Sequence, residues 1–155
     1  MSLWRRTAIE RLPSLQKEIA AADNPYGVWI ELRDEMNRAY GREPVDDDLI
    51  AAIYGYGSWC LTGARNADLA TAAIVCFYEH LPTDTPIRAD VGRWLSVDDF
   101  SGMKNVFGYH LNEREVDDFA QEFLAQKKRL AEGKRLVRWQ ELGATPPVSK
   151  PKAHK

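Results

Sequence analysis

Asn24-Pro25-Tyr26-Gly27-Val28-Trp29-Ile30-Glu31-Leu32-Arg33-Asp34-Glu35-Met36-Asn37-Arg38-Ala39-Tyr40-Gly41 is a helix written with both of its ends. The side chain of Asn24 is of the kind that accepts from the free N–H groups of a first turn, and Pro25 follows where a missing N–H costs nothing. Trp29, Leu32, Met36 and Ala39 or Tyr40 recur at three- and four-residue spacing, which makes one apolar stripe on a 3.6-residue period. Gly41 stops the helix. The same pattern holds in both directions along the chain, and no segment of four or more residues alternates strictly between apolar and polar as a half-buried strand would. The fold class is therefore all-α.

Upstream, Leu12, Leu15, Ile19 and Ala22 share one face of a first helix, with Pro13 either in its first turn or kinking an earlier piece that begins near Leu3. Downstream, Asp46-Asp47-Asp48 put acid at the positive end of a third helix whose stripe is Leu49, Ile50, Ile53, Tyr54, Gly57, Cys60 and Leu61, ending at Gly63. Helix start explains the triple aspartate; a calcium loop would also need its glycine and its distal Glu. Gly55 and Gly57 each cost roughly 1 kcal/mol relative to Ala inside a helix, so they imply a close approach of another backbone. A fourth helix from Asp68 to His80 is apolar nearly all round, which marks it as the central one.

Pro82 stops that helix, and Thr85-Pro86 opens a fifth with Ile87, Val91, Trp94 and Leu95 inward. Ser96 with Asp99 caps a sixth running to Leu111, and Asn112 with Glu115 caps a seventh carrying Val116, Phe119, Phe123 and Leu124. Short loops favour antiparallel neighbours. The expected architecture is a compact bundle of about seven mostly antiparallel helices, or alternatively a short stack of helical hairpins. At 155 residues, 45% of them hydrophobic, the chain has material for one core. Residues 1–132 read as a single helical domain, with a break at Gly133. Residues 133–155 read as a basic, partly flexible tail in which Leu136, Val137, Trp139 and Leu142 form a turn or two able to dock.

The charge is divided. Residues 1–126 hold 12 Lys and Arg against 21 Asp and Glu, a net −9, whereas residues 127–155 hold 9 against 2, a net +7. An acidic body repels nucleic-acid phosphates and attracts a protein with a basic surface, so nucleic acid is expected only through the tail. No apolar stretch follows Arg5 and Arg6, and no run of about 18 uncharged apolar residues occurs, so neither a signal peptide nor a membrane span is expected and the expected location is cytoplasmic. Two cysteines, Cys60 and Cys76, are too few for a disulfide framework and read as reduced, buried hydrophobes.

Phosphate loops, dinucleotide glycine fingerprints, nucleophile elbows and paired zinc-binding histidine motifs are all missing from the chain. The leading expectation is accordingly a non-enzymatic protein-binding module with no cofactor. Tyr56 and Trp59, off the main stripe of their helix, together with Trp94 would form its contact surface. The alternative is a metal-dependent hydrolase or metal-binding protein. His154 lies in the tail, but His80 and His110 stand at helix ends, and Glu79 together with an acid from Asp98, Asp99 or Glu113 would complete a set able to hold a divalent cation or move a proton. The bland reading of both histidines is that they cap free carbonyls in a last helical turn.

Four stretches form a set of landmarks: Ile53-Tyr54-Gly55-Tyr56-Gly57-Ser58-Trp59-Cys60-Leu61, Val75-Cys76-Phe77-Tyr78-Glu79-His80-Leu81-Pro82, Arg88-Ala89-Asp90-Val91-Gly92-Arg93-Trp94-Leu95 and Phe107-Gly108-Tyr109-His110-Leu111. Over about residues 12–124 the chain resembles a family of small all-helical bacterial proteins built on a domain of unknown function. The resemblance implies a helical domain in the bacterial cytoplasm with no assigned activity, and it transfers no site residue. By analogy with other small acidic helical proteins, an immunity-type or regulatory partner is the role it suggests.

Overall fold

Capping residues and prolines cut the chain close to where the sequence places its breaks. The computed structural model describes the backbone of residues 1–141 and the side chains of residues 1–134. Among the described residues there is no strand, and the all-α class is realised with nine α-helices. Two of the expected helices are each split. The first becomes α1 (Leu3–Arg11) and α2 (Gln16–Ala21), separated by a 3-10 turn at Pro13–Leu15, because Leu12 leaves helical geometry (φ −130, ψ 59) and Pro13 lacks the N–H to continue. The sixth becomes α7 (Val97–Gly102) and α8 (Lys104–Phe107), which part at Met103 with ψ near 0.

Between them run α3 (Pro25–Tyr40), α4 (Asp47–Ser58), α5 (Ala67–Cys76) and α6 (Thr85–Asp90), and α9 (Glu113–Glu141) closes the described chain. Asn24 accepts from the Gly27 N–H at 3.0 Å and Asp46 from the Leu49 N–H at 3.1 Å, as their helix-start roles require. Asn112 and Glu115 exchange two hydrogen bonds of 2.9 Å, a complete capping box ahead of α9.

α3 packs against both α4 and α5, α1 lies on α4, and α9 lies on the 3-10 turn Val91–Arg93. Trp29 of α3 is the hinge of the first core, stacked between Tyr56 at 5.3 Å and Phe77 at 5.1 Å. A Cβ on Gly57 would stand 2.5 Å from the Tyr78 hydroxyl and 3.2 Å from the Trp29 ring, so the close neighbours of this glycine are aromatic side chains, not another backbone. A second aromatic cluster joins α7, α8 and α9: Phe100 stacks on Phe123 at 4.1 Å, with Phe107 and Phe119 edge-on at 5.0 Å. Buried Gln126 ties α9 to the preceding turn, accepting from the Gly92 N–H at 2.7 Å and donating to the Arg88 carbonyl at 2.9 Å.

The structure departs from the sequence expectation at four places. The fourth helix stops at Cys76, since Phe77 (φ −129, ψ −66) turns its ring into the Trp29 stack and the chain goes on as a 3-10 turn, Tyr78–His80. It is not wrapped on all sides either, for Val75 is 41% exposed. Tyr56 is buried, covered by α1, and its hydroxyl donates to the Trp4 carbonyl at 3.3 Å; Trp59 stacks on it and is half-buried. Gly133 makes no break, because the backbone stays helical through it to Glu141. The docking expected of Leu136, Val137, Trp139 and Leu142, and the flexible tail beyond, lie outside the described side chains.

Candidate metal centre

Breaking α5 at Phe77 places Glu79 and His80 in a 3-10 turn, and α8 packs directly on that turn. The chain leaving α8 turns at Gly108-Tyr109-His110, and this brings His110 back over the same turn. Both histidines therefore sit just past their α-helices and not within the last α-helical turn. The His80 carbonyl is itself fixed, accepting from the N–H and the hydroxyl of Thr83 at 2.9 Å each.

The three side chains meet. Glu79 Oε1 lies 3.0 Å from His110 Nε2 and 3.8 Å from His80 Nε2, and the two imidazole rings stand 4.5 Å apart, tilted by 34°. One donor atom from each residue falls within 4.8 Å of the others. Glu79 is the least exposed of the three at 13%, and the rings are about a quarter to a third open to solvent. Four-coordinate zinc with ligands at about 2.0–2.1 Å spaces its donors by about 3.3–3.4 Å, so movements of about an ångström suffice to close the set on an ion.

Electrostatics favour the neutral, ligating form of one ring. Burial pushes His80 below its ordinary imidazole value, assisted by the Arg33 and His110 charges and opposed by Glu79 and Asp84. With Glu79 ionised, His110 Nε2–H donates to it; a metal held at Nε2 would move that proton to Nδ1.

A cleft of about 300 Å³ opens beside the cluster between α3 and α5, lined by Ile30, Arg33, Asp34, Val75 and Cys76 together with Glu79 and His80. Arg33 is pinned there by Asp84, which accepts from Nε at 2.7 Å and from Nη2 at 3.2 Å. Burial raises the Cys76 thiol above its ordinary value, with the Glu79 charge adding to the effect, so it is a neutral wall of this cleft. Neither cysteine is bridged.

Of the acids considered from sequence, Glu79 alone joins the histidines among the described residues. Asp99 instead uses its N–H on the Ser96 cap, and Asp47 of the triple aspartate pairs with Arg93 at 2.7 Å. The aromatic residues expected on a contact surface are not presented as one. Besides Tyr56 and Trp59, Trp94 is half-buried, stacked on Tyr54 at 5.6 Å and donating its indole N–H to Asp90 at 3.1 Å. The exposed apolar side chains are others, Ile30 and Val75 on the cleft among them. The Arg33–Asp84 pair and the cleft have no sequence signal, for their members come from four separate segments: α3, α5, the 3-10 turn and the residue before α6.

No family model, no curated protein and no solved structure matches the chain, so no residue role comes from a relative. No helix among the described residues is long and apolar enough to cross a membrane.

Proposed function

We propose that the protein binds a divalent transition metal through Glu79, His80 and His110, with metal-dependent hydrolysis as the activity that this donor set supports. The observation that carries the reading is the convergence of the three donor atoms within 4.8 Å from two turns 30 residues apart in the chain. Two imidazoles and one carboxylate suit zinc, iron or cobalt better than the hard ions calcium and magnesium, which prefer all-oxygen shells. Three protein ligands leave a coordination position for water, the arrangement in which zinc makes hydroxide available near neutral pH. The site is partly open, which such a water and its substrate require.

Elemental analysis of protein purified without chelators, followed by cobalt(II) titration, tests the reading. About one equivalent per chain is expected, with the tetrahedral cobalt absorption lost in His110→Ala and weakened at least tenfold in Glu79→Gln. Absence of metal uptake, or uptake unchanged in His110→Ala, overturns it. In that case the net −9 of residues 1–126 makes a basic protein partner the reading to pursue, by salt-sensitive capture.

A further inference from the structure

We infer that the cleft between α3 and α5 is the second half of this centre and receives a small ligand carrying an oxyanion, with one oxygen on the metal and another on Arg33; the inference rests on the metal reading above. Arg33 lines the same cleft as Glu79 and His80. Asp84 engages Nε and Nη2 in a fork, which immobilises the guanidinium, and Nη1 makes no hydrogen bond among the described residues. A guanidinium held by one carboxylate with donors to spare is preorganised for a second anion, since the cost of ordering the side chain has already been met. Ile30 of α3 and Val75 of α5, both well exposed, also line the cleft and suit a short apolar remainder.

The charge balance makes the metal obligatory. Asp84 neutralises Arg33, so without an ion the lining is left with the negative charges of Glu79 and Asp34, and an anion is repelled. A divalent ion offsets both. Carboxylates and phosphoryl groups share the required chemistry, and a volume of about 300 Å³ limits the ligand to a few carbons beyond it.

The test uses the cobalt(II)-loaded full chain titrated separately with phosphate, acetate and butyrate, following the cobalt absorption band. Anions are expected to shift the band, butyrate at lower concentration than acetate because of Ile30 and Val75, and the phosphate arm separates phosphoryl from carboxylate preference. Arg33→Met should still take up about one equivalent of cobalt per chain, while each anion binds roughly tenfold more weakly, the loss of one charge-assisted pair. Equal anion responses in the two proteins, or none in either, overturn the inference and leave the metal reading standing. Failure of the wild-type chain to take up cobalt(II) overturns both. One equivalent of cobalt taken up by Arg33→Met also shows that the variant is folded.

Discussion

Two glycines in one helix are expected to respond to alanine with opposite signs. Gly55 and Gly57 lie two residues apart in α4, and each gains about 1 kcal/mol of helix propensity on becoming Ala. At Gly55 the new methyl meets only the far end of the Arg11 side chain at 3.6 Å, an ordinary contact, so the gain survives. At Gly57 it would lie 2.5 Å from the Tyr78 hydroxyl and 3.2 Å from both the Tyr78 and Trp29 rings. Both rings are buried against Phe77, Trp29 stacked on it and Tyr78 edge-on to it. Overpacking of this kind costs about 1–3 kcal/mol, which cancels or exceeds the propensity gain. Gly55→Ala should therefore be more stable than wild type by about 0.5–1 kcal/mol, and Gly57→Ala less stable by up to about 2 kcal/mol. Urea unfolding at constant m-value measures both, and thermal midpoints should separate by several degrees. A Gly57→Ala protein as stabilised as Gly55→Ala would refute the packing of Tyr78 against this glycine.

Gln126→Leu keeps the side chain's bulk but leaves the buried Gly92 N–H and the Arg88 carbonyl without their partner, so a loss of about 2–3 kcal/mol in urea unfolding is expected. A loss under about 0.5 kcal/mol would mean that water reaches both groups. Arg88 holds the Glu122 carboxyl below its ordinary value of 4.5 through a bidentate pair at 2.7 and 2.8 Å. Its folded pKa being depressed, the pair's contribution is present above about pH 4.5 and is lost as pH falls through the lower folded value. The carboxyl is half exposed, so that contribution is no more than about 1 kcal/mol. Glu122→Gln should be slightly less stable at pH 7 and lose less than wild type on acidification; parallel pH profiles of the two proteins would contradict this.

Helix class, helix order and most helix starts were legible in the residues because they depend on local chemistry. Asn24, Asp46, Ser96 and Asn112 cap with their own side chains, and Pro13 interrupts by lacking one hydrogen. His80, His110 and Glu79 could likewise be named as metal-ligand types, but the further acid expected from Asp98, Asp99 or Glu113 does not join them among the described residues. Periodicity reports which side of a helix is apolar and not what lies against the other side. That is why Tyr56, off the main stripe, was expected at the surface and is in fact covered by α1.

What the sequence determined by itself was thus an α-helical chain, most of its helix starts, and an acidic body. Tertiary structure alone decided that Phe77 leaves the helix to stack on Trp29, which ends α5 early and sets Glu79 and His80 in a turn under α8. It also decided that Arg33 and Asp84 pair across 51 residues beside that turn. The reason is physical: a cap or a proline acts over a few bonds, whereas the meeting of two turns depends on how every helix between them packs.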